Sequence, residues 1–135
     1  MIWLATGAAI CPKTLWREHE AHCAGRKDLV FIYPIWWFGP PAILKGWIDR
    51  VFTRKFAFEF TATGGMRGLL TQERALILNT LGGDEALYQR ERWQELLVRP
   101  MTDGILGACG VRNITHRAFY EVPSDFVRRA PGDAG

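Results

Sequence analysis

No CxxC pair stands anywhere in this sequence, and its 135 residues include only three cysteines, at positions 11, 23 and 109. That excludes a zinc ribbon and a thioredoxin-type dithiol. An odd, irregularly spaced set reads as free thiols in a reducing cytoplasm. Cys109, flanked by small and apolar residues, reads as a buried one. Long apolar runs are missing too. The longest uncharged stretch, Leu29 to Leu44, is broken by Pro34, Gly39, Pro40 and Pro41, so it cannot be a spanning helix. The expected protein has no membrane insertion, no signal peptide and a cytoplasmic location. GxSxG elbows and P-loops are absent. Basic residues outnumber acidic ones by only 17 to 14 and form no block, which argues against nucleic acid as a partner.

Histidine is scarce, with three in the chain. His19 and His22 are spaced to share a helix face beside Glu18 and Glu20, which would suit two metal ligands. The plainer reading is a solvated helix face, and no metal is expected. His116 has no nucleophile beside it in sequence.

What is present is globular: 48% hydrophobic and 23% charged residues in a length that suits one domain, residues 1–135. Thr14 suits an N-cap for a helix over 15–24, stopped by Gly25. Asp28 to Tyr33 is a continuous apolar, β-branched and aromatic run, as in the buried strands of parallel sheets, and Pro34 ends it. Residues 35–39 form a loop. Pro41 fits the first turn of a helix over 42–52, whose apolar positions 43, 44, 47, 48, 51 and 52 make one wide stripe. Phe56 to Phe60 alternates and reads as a short extended piece, followed by a turn at Thr63 to Met66. Arg74 to Thr80 is a second buried strand. Asp84 caps a helix through Tyr88 toward Val98, Pro100 breaks or restarts it, and Met101 to Cys109 continues to Gly110. A third strand lies around Thr115 to Tyr120, and the tail 128–135 frays. Strands alternating with helices predict an α/β fold with a parallel sheet, which binds ligands outside the carboxyl ends of its strands.

Two loops of unusual chemistry fall at that end. Ile35-Trp36-Trp37-Phe38 places three aromatics between prolines, a flat apolar wall suited to a flavin or quinone. The plainer alternative is a core plug or a dimer contact. Thr80-Leu81-Gly82-Gly83 lets backbone approach a ligand closely, and Tyr88 beyond it offers a phenolic donor. The plainer alternative there is an ordinary turn with a surface tyrosine.

The run Pro34-Ile-Trp-Trp-Phe-Gly-Pro-Pro-Ala-Ile-Leu-Lys-Gly-Trp-Ile-Asp-Arg-Val-Phe52 resembles the NAD(P)H:quinone oxidoreductase (DT-diaphorase-like) family of flavodoxin-fold enzymes. The likeness continues through Ala75 to Thr80, Gly82-Gly83 with Tyr88, and Gly104 to Gly110, covering roughly Leu15 to Tyr120. It implies bound FAD or FMN, NAD(P)H as co-substrate, a quinone or similar aromatic acceptor, and a homodimer. It places Ile35, Trp36, Trp37 and Phe38 against the isoalloxazine, with Trp37 and Phe38 also walling the substrate pocket. It puts Thr80, Leu81, Gly82 and Gly83 along the pyrimidine side, and makes Tyr88 the catalytic and substrate-binding hydroxyl. A histidine common a few residues after that tyrosine is absent from Gln89 to Trp93, where Arg90 or Arg92 would balance negative charge instead. Only 27 residues precede Asp28, too few for the family's first βαβ unit of about 30 or more. The expectation is therefore a flavodoxin-like sheet without that unit, with a bare edge along Leu29 to Tyr33. Alternatives to a reductase are an ancillary regulatory subunit of the potassium-efflux type and an inactive remnant.

Overall fold

The computed structural model describes residues 13–122. Helix α1 (Lys13–Ala24) leads into strand β1 (Asp28–Pro34), followed by helix α2 (Ala42–Val51). A two-stranded antiparallel hairpin, β2 (Phe58–Phe60) and β3 (Met66–Gly68), precedes strand β4 (Arg74–Thr80). Helices α3 (Glu85–Arg90) and α4 (Trp93–Arg99), then a π-helical segment over Pro100–Gly107, lead to strand β5 (Asn113–Phe119). Cys11 and the tail at 128–135 lie outside the described residues.

The main sheet is parallel, in the order β1-β4-β5, with Asp28 opposite Arg74 and Arg74 opposite Asn113. Both crossovers step the same way across the sheet. Right-handed connections therefore put their helices on one face. That face carries Phe31, Tyr33, Ala75, Ile77 and Asn79, all buried, and packs with Ile48, Val51, Met101, Leu106 and Val111 into the core. On the opposite face Val30, Ile32 and Phe119 stay half exposed. Among the described residues, strand β1 is the edge of this sheet.

Helix α1 docks on the same side as α2. Trp47 Nε1 donates to His19 Nδ1 at 3.3 Å, Thr53 Oγ1 donates to Glu20 Oε1 at 2.6 Å, and Gln72 Nε2 donates to the Cys23 carbonyl at 2.7 Å. This corrects the solvated-face reading of His19, which is buried between Trp16 and Trp47. Its three-residue spacing to His22 describes the helix, whereas the hydrogen bond it accepts from Trp47 comes from α2. No group of three or more metal-ligating side chains exists among the described residues. Cys109 is buried, and burial pushes its thiol upward.

Several boundaries differ from expectation. Helix α1 starts at Lys13, so Thr14 lies inside it. Pro41 stands at the N-cap of α2, one residue before its first turn. Strand β5 starts earlier, at Asn113, because it pairs with β4 along its whole length. The helix expected from Asp84 to Val98 is two helices, because Arg92 takes a left-handed conformation (φ 58°) and turns the chain. Pro100 does not stop α4. The following segment widens to i→i−5 bonds, such as Ala108 N–H to the Asp103 carbonyl at 3.1 Å, and Pro100 stands at its first position, where proline is tolerated.

Candidate functional site

Parallel pairing brings the carboxyl ends of β1 and β4 side by side, with Pro34 opposite Thr80. The pairing continues one step further, as the Ile35 N–H donates to the Thr80 carbonyl at 2.8 Å. The loops that leave these strands are therefore neighbours, and the fold alone achieves that.

The first loop is a two-residue hairpin. Trp36 and Gly39 exchange both backbone bonds, N–H to carbonyl, at 3.0 and 3.1 Å. The two residues between them, Trp37 (φ 49°) and Phe38 (φ 63°), are both left-handed. Positive φ at both central positions is the type I′ arrangement, which favours Asn-Gly. Bulky aromatics there cost on the order of 1–3 kcal/mol each. The strain has a visible product: Trp37 is 96% exposed and Trp36 is 62% exposed. Neither is a core plug. The three aromatics do not form one continuous wall, because Phe38 alone turns inward.

Phe38 meets Tyr88 and Trp93, with ring centroids 6.2 and 5.4 Å apart. Tyr88 in turn packs edge-on to Trp93 at 5.5 Å and to Tyr120 at 5.8 Å. Tyr120 accepts a hydrogen bond from Gln94 Nε2 at 3.0 Å. The Tyr88 ring is thus held by three others, and its hydroxyl bonds no described residue. Trp93 and Tyr120 escape sequence reasoning because one follows the Arg92 turn and the other follows the end of β5. Only their aromatic character at the ends of elements hinted at them.

In the second loop, the carbonyls of Leu81 and Gly83 are engaged, and among the described residues the amides of Gly82 and Gly83 have no partner. The Gly83 and Leu81 carbonyls accept from the Glu121 and Val122 N–H groups at 3.1 and 3.0 Å, while the Leu81 N–H donates to the Phe119 carbonyl. The N–H groups of Gly82 and Gly83, like those of Trp37 and Phe38, bond nothing among the described residues. Leu81 has a buried side chain and both of its backbone groups are bonded within the chain, so it does not present a group to a ligand, whereas Gly82 is exposed. Asp84 Oδ1 caps α3 by accepting from the Ala86 N–H at 2.9 Å. Open amide donors beside an aromatic surface fit the carbonyl oxygens and ring nitrogens of a planar flavin. Arg90 and Arg92 point elsewhere: they pair with Glu91 and Glu95 on the surface.

A concavity of about 290 Å³ lies behind this cluster, lined by Glu85, Gln94, Leu97, Val98, His116 and Tyr120 among others. Burial, and secondly the Arg117 guanidinium, hold His116 below the ordinary imidazole value of 6.5. The folded state therefore resists protonation there. As pH falls below 6.5, unfolded chains bind the proton first and stability declines, until His116 titrates in the folded protein. The urea midpoint of the wild type is expected to fall more between pH 7.5 and 5.5 than that of His116→Gln; parallel falls would refute it.

A family model described as Flavodoxin-like fold matches residues 17–131. The chain belongs to this family. The resemblance drawn from the Pro34–Phe52 motif holds among full-length relatives. The chain is 32% identical over 114 residues to an uncharacterized NAD(P)H oxidoreductase of Haemophilus influenzae, covering 84% of this chain and 55% of that one. It is 37% identical over 109 residues to ribosyldihydronicotinamide dehydrogenase [quinone] of Mus musculus, covering 75% and 46%. The solved structure of an NAD(P)H:quinone oxidoreductase from Methanothermobacter marburgensis superposes with a TM-score of 0.68 at 30% identity, over 93% of this chain and 55% of that one. This flavodoxin-like chain thus spans about half the length of the relatives it matches. Among its described residues no helix is long and apolar enough to cross a membrane.

Proposed function

We propose that this chain is part of a flavin-dependent NAD(P)H oxidoreductase that reduces quinones or similar aromatic acceptors. The observation that carries the reading is the juxtaposition of two loops, Ile35–Phe38 and Thr80–Gly83, at one end of the sheet: the amides of Trp37, Phe38, Gly82 and Gly83 bond nothing among the described residues, and strained aromatics stand beside them. The names of the relatives support the same reaction class. A bound flavin, FAD or FMN, supplies hydride transfer between a nicotinamide and an acceptor.

The protein's own residues have separable tasks. Gly82 and Gly83 N–H groups donate to the polar edge of the ring system. Ile35 and Trp36 flank it. Phe38 gives the pocket a fixed inner side, because Tyr88 and Trp93 hold its ring. Trp37 is the outer side, placed to cover a planar substrate or to meet a second subunit of a homodimer. The Tyr88 hydroxyl, which bonds no described residue, donates toward an acceptor oxygen or stabilises negative charge on the reduced ring. Such a protein works in the cytoplasm, where its thiols stay reduced.

Trp37→Asn separates function from structure. Asparagine tolerates the left-handed backbone, and the exposed indole touches no described ring. Stability is expected to hold or to rise by about 1 kcal/mol. Flavin affinity or the rate of quinone-dependent NAD(P)H oxidation is expected to fall about tenfold, the scale of a lost aromatic stack with its buried area. Thermal melting, FMN and FAD titrations and steady-state oxidation measure all three. Undiminished flavin binding and turnover would remove Trp37 from the site.

A further inference from the structure

Strand β4 carries a polar side chain in the middle of the core. Asn79 is fully buried, next to Thr80 and on the face that holds Phe31, Tyr33 and Ile77. Its Nδ2 donates to the Tyr33 carbonyl at 3.3 Å. Its Oδ1 lies 2.6 Å from His116 Nε2. Tyr33 is two residues before Ile35, and Asn79 is one residue before Thr80. One amide therefore spans the carboxyl ends of β1 and β4, where both loops begin, and β5 orients it.

The chemistry fixes the direction of each bond. An amide nitrogen can only donate, so the Tyr33 carbonyl assigns Nδ2 and leaves Oδ1 as the acceptor. His116 Nε2 must then carry the proton. A neutral ring leaves Nδ1 without a proton. That nitrogen bonds no described residue, and the ring borders the 290 Å³ concavity. An apolar residue at position 79 would fill the same volume with less desolvation, so the polar pair is matched to a geometric task.

We propose that His116 and Asn79 are positioning residues. The Nε2–H of His116 locks the Asn79 amide, which ties the carboxyl end of β4 to the Tyr33 carbonyl and sets the separation of the Ile35–Phe38 and Thr80–Gly83 loops. The effect on ligand binding rests on the flavin reading of those loops; the effect on their positions does not.

The test uses three variants. Glutamine reaches the Nε2 position and donates, asparagine reaches only the Nδ1 position, and leucine donates nothing. In the wild-type chain without flavin, ¹⁵N shifts of His116 are expected to report the Nε2–H form. His116→Leu and His116→Asn are expected to move the backbone amide resonances of Trp36, Gly39, Gly82 and Gly83 together, and His116→Gln to restore them. Titrated with FMN, the Leu and Asn variants are expected to bind about tenfold more weakly and Gln within about twofold, the scale of one hydrogen bond. An Nδ1–H form, or loop resonances unmoved in His116→Asn, overturns the proposal. So does equal FMN affinity across all variants of a chain that binds FMN. If the wild type binds no FMN while both loops still respond to His116, the positioning role stands and the flavin reading falls. If His116→Leu does not fold, the asparagine and glutamine pair decides.

Discussion

Gly68→Ala is expected to destabilise the fold by about 3 kcal/mol or more, the upper end of overpacking costs. A methyl group there would stand 2.2 Å from the Cys109 carbonyl carbon and 2.3 Å from the Gly110 nitrogen. Both are backbone atoms and no rotamer relieves them. Gly68 ends β3, and just beyond it the Leu69 N–H donates to the Ala57 carbonyl and the Leu70 N–H to the Cys109 carbonyl, at 2.8 and 2.9 Å. The hairpin must lift off the end of the π-helical segment or these bonds must break. For a domain of this size the melting temperature drops by roughly 10 °C. Gly104→Ala is the control: its added methyl group meets only ordinary contact at 3.7 Å, and helix propensity makes it neutral or slightly stabilising. Equal melting temperatures for Gly68→Ala and wild type would show that the approach is looser than described.

The second large effect belongs to the candidate site. Gly83→Ala would put a methyl group 2.4 Å from Tyr88 Cε2. The ring has little room to yield, because Phe38, Trp93 and Tyr120 surround it. It is displaced by about 1 Å, and a misplacement of that order costs about 10²-fold in rate. Quinone-dependent NAD(P)H oxidation is expected to fall accordingly. Gly82→Ala meets nothing nearer than the Val122 carbonyl at 3.7 Å and should fold normally. A double-mutant cycle with Tyr88→Leu isolates the cause: much of the stability cost of Gly83→Ala should disappear without the tyrosine ring. Wild-type turnover in Gly83→Ala would mean that the position of Tyr88 does not matter.

Most of the scaffold was legible before any coordinates. Asp28 to Tyr33 and Arg74 to Thr80 announce parallel strands by their unbroken apolar runs, but burial on both faces does not hold for β1, whose Val30 and Ile32 are half exposed. The stripe through 43, 44, 47, 48, 51 and 52 announces α2, which ends at Val51 with Phe52 at its C-cap. Ladder register and helix ends were less legible. Arg92 carries no glycine-like signal for its left-handed turn, and Pro100 normally ends a helix but here enters a wider one.

The sequence by itself determined the alternation of strands and helices, the family motif and the chemistry available at two loops, because periodicity and residue type are local properties. Only the tertiary structure decided that the two loops adjoin, that Trp37 and Phe38 share a strained turn yet point apart, and that Trp93 and Tyr120 complete the enclosure of Tyr88. It alone joined His116 to Asn79 across 37 residues of chain. These are long-range pairings set by strand order and by which carbonyls remain to be satisfied, and no window of sequence contains both partners.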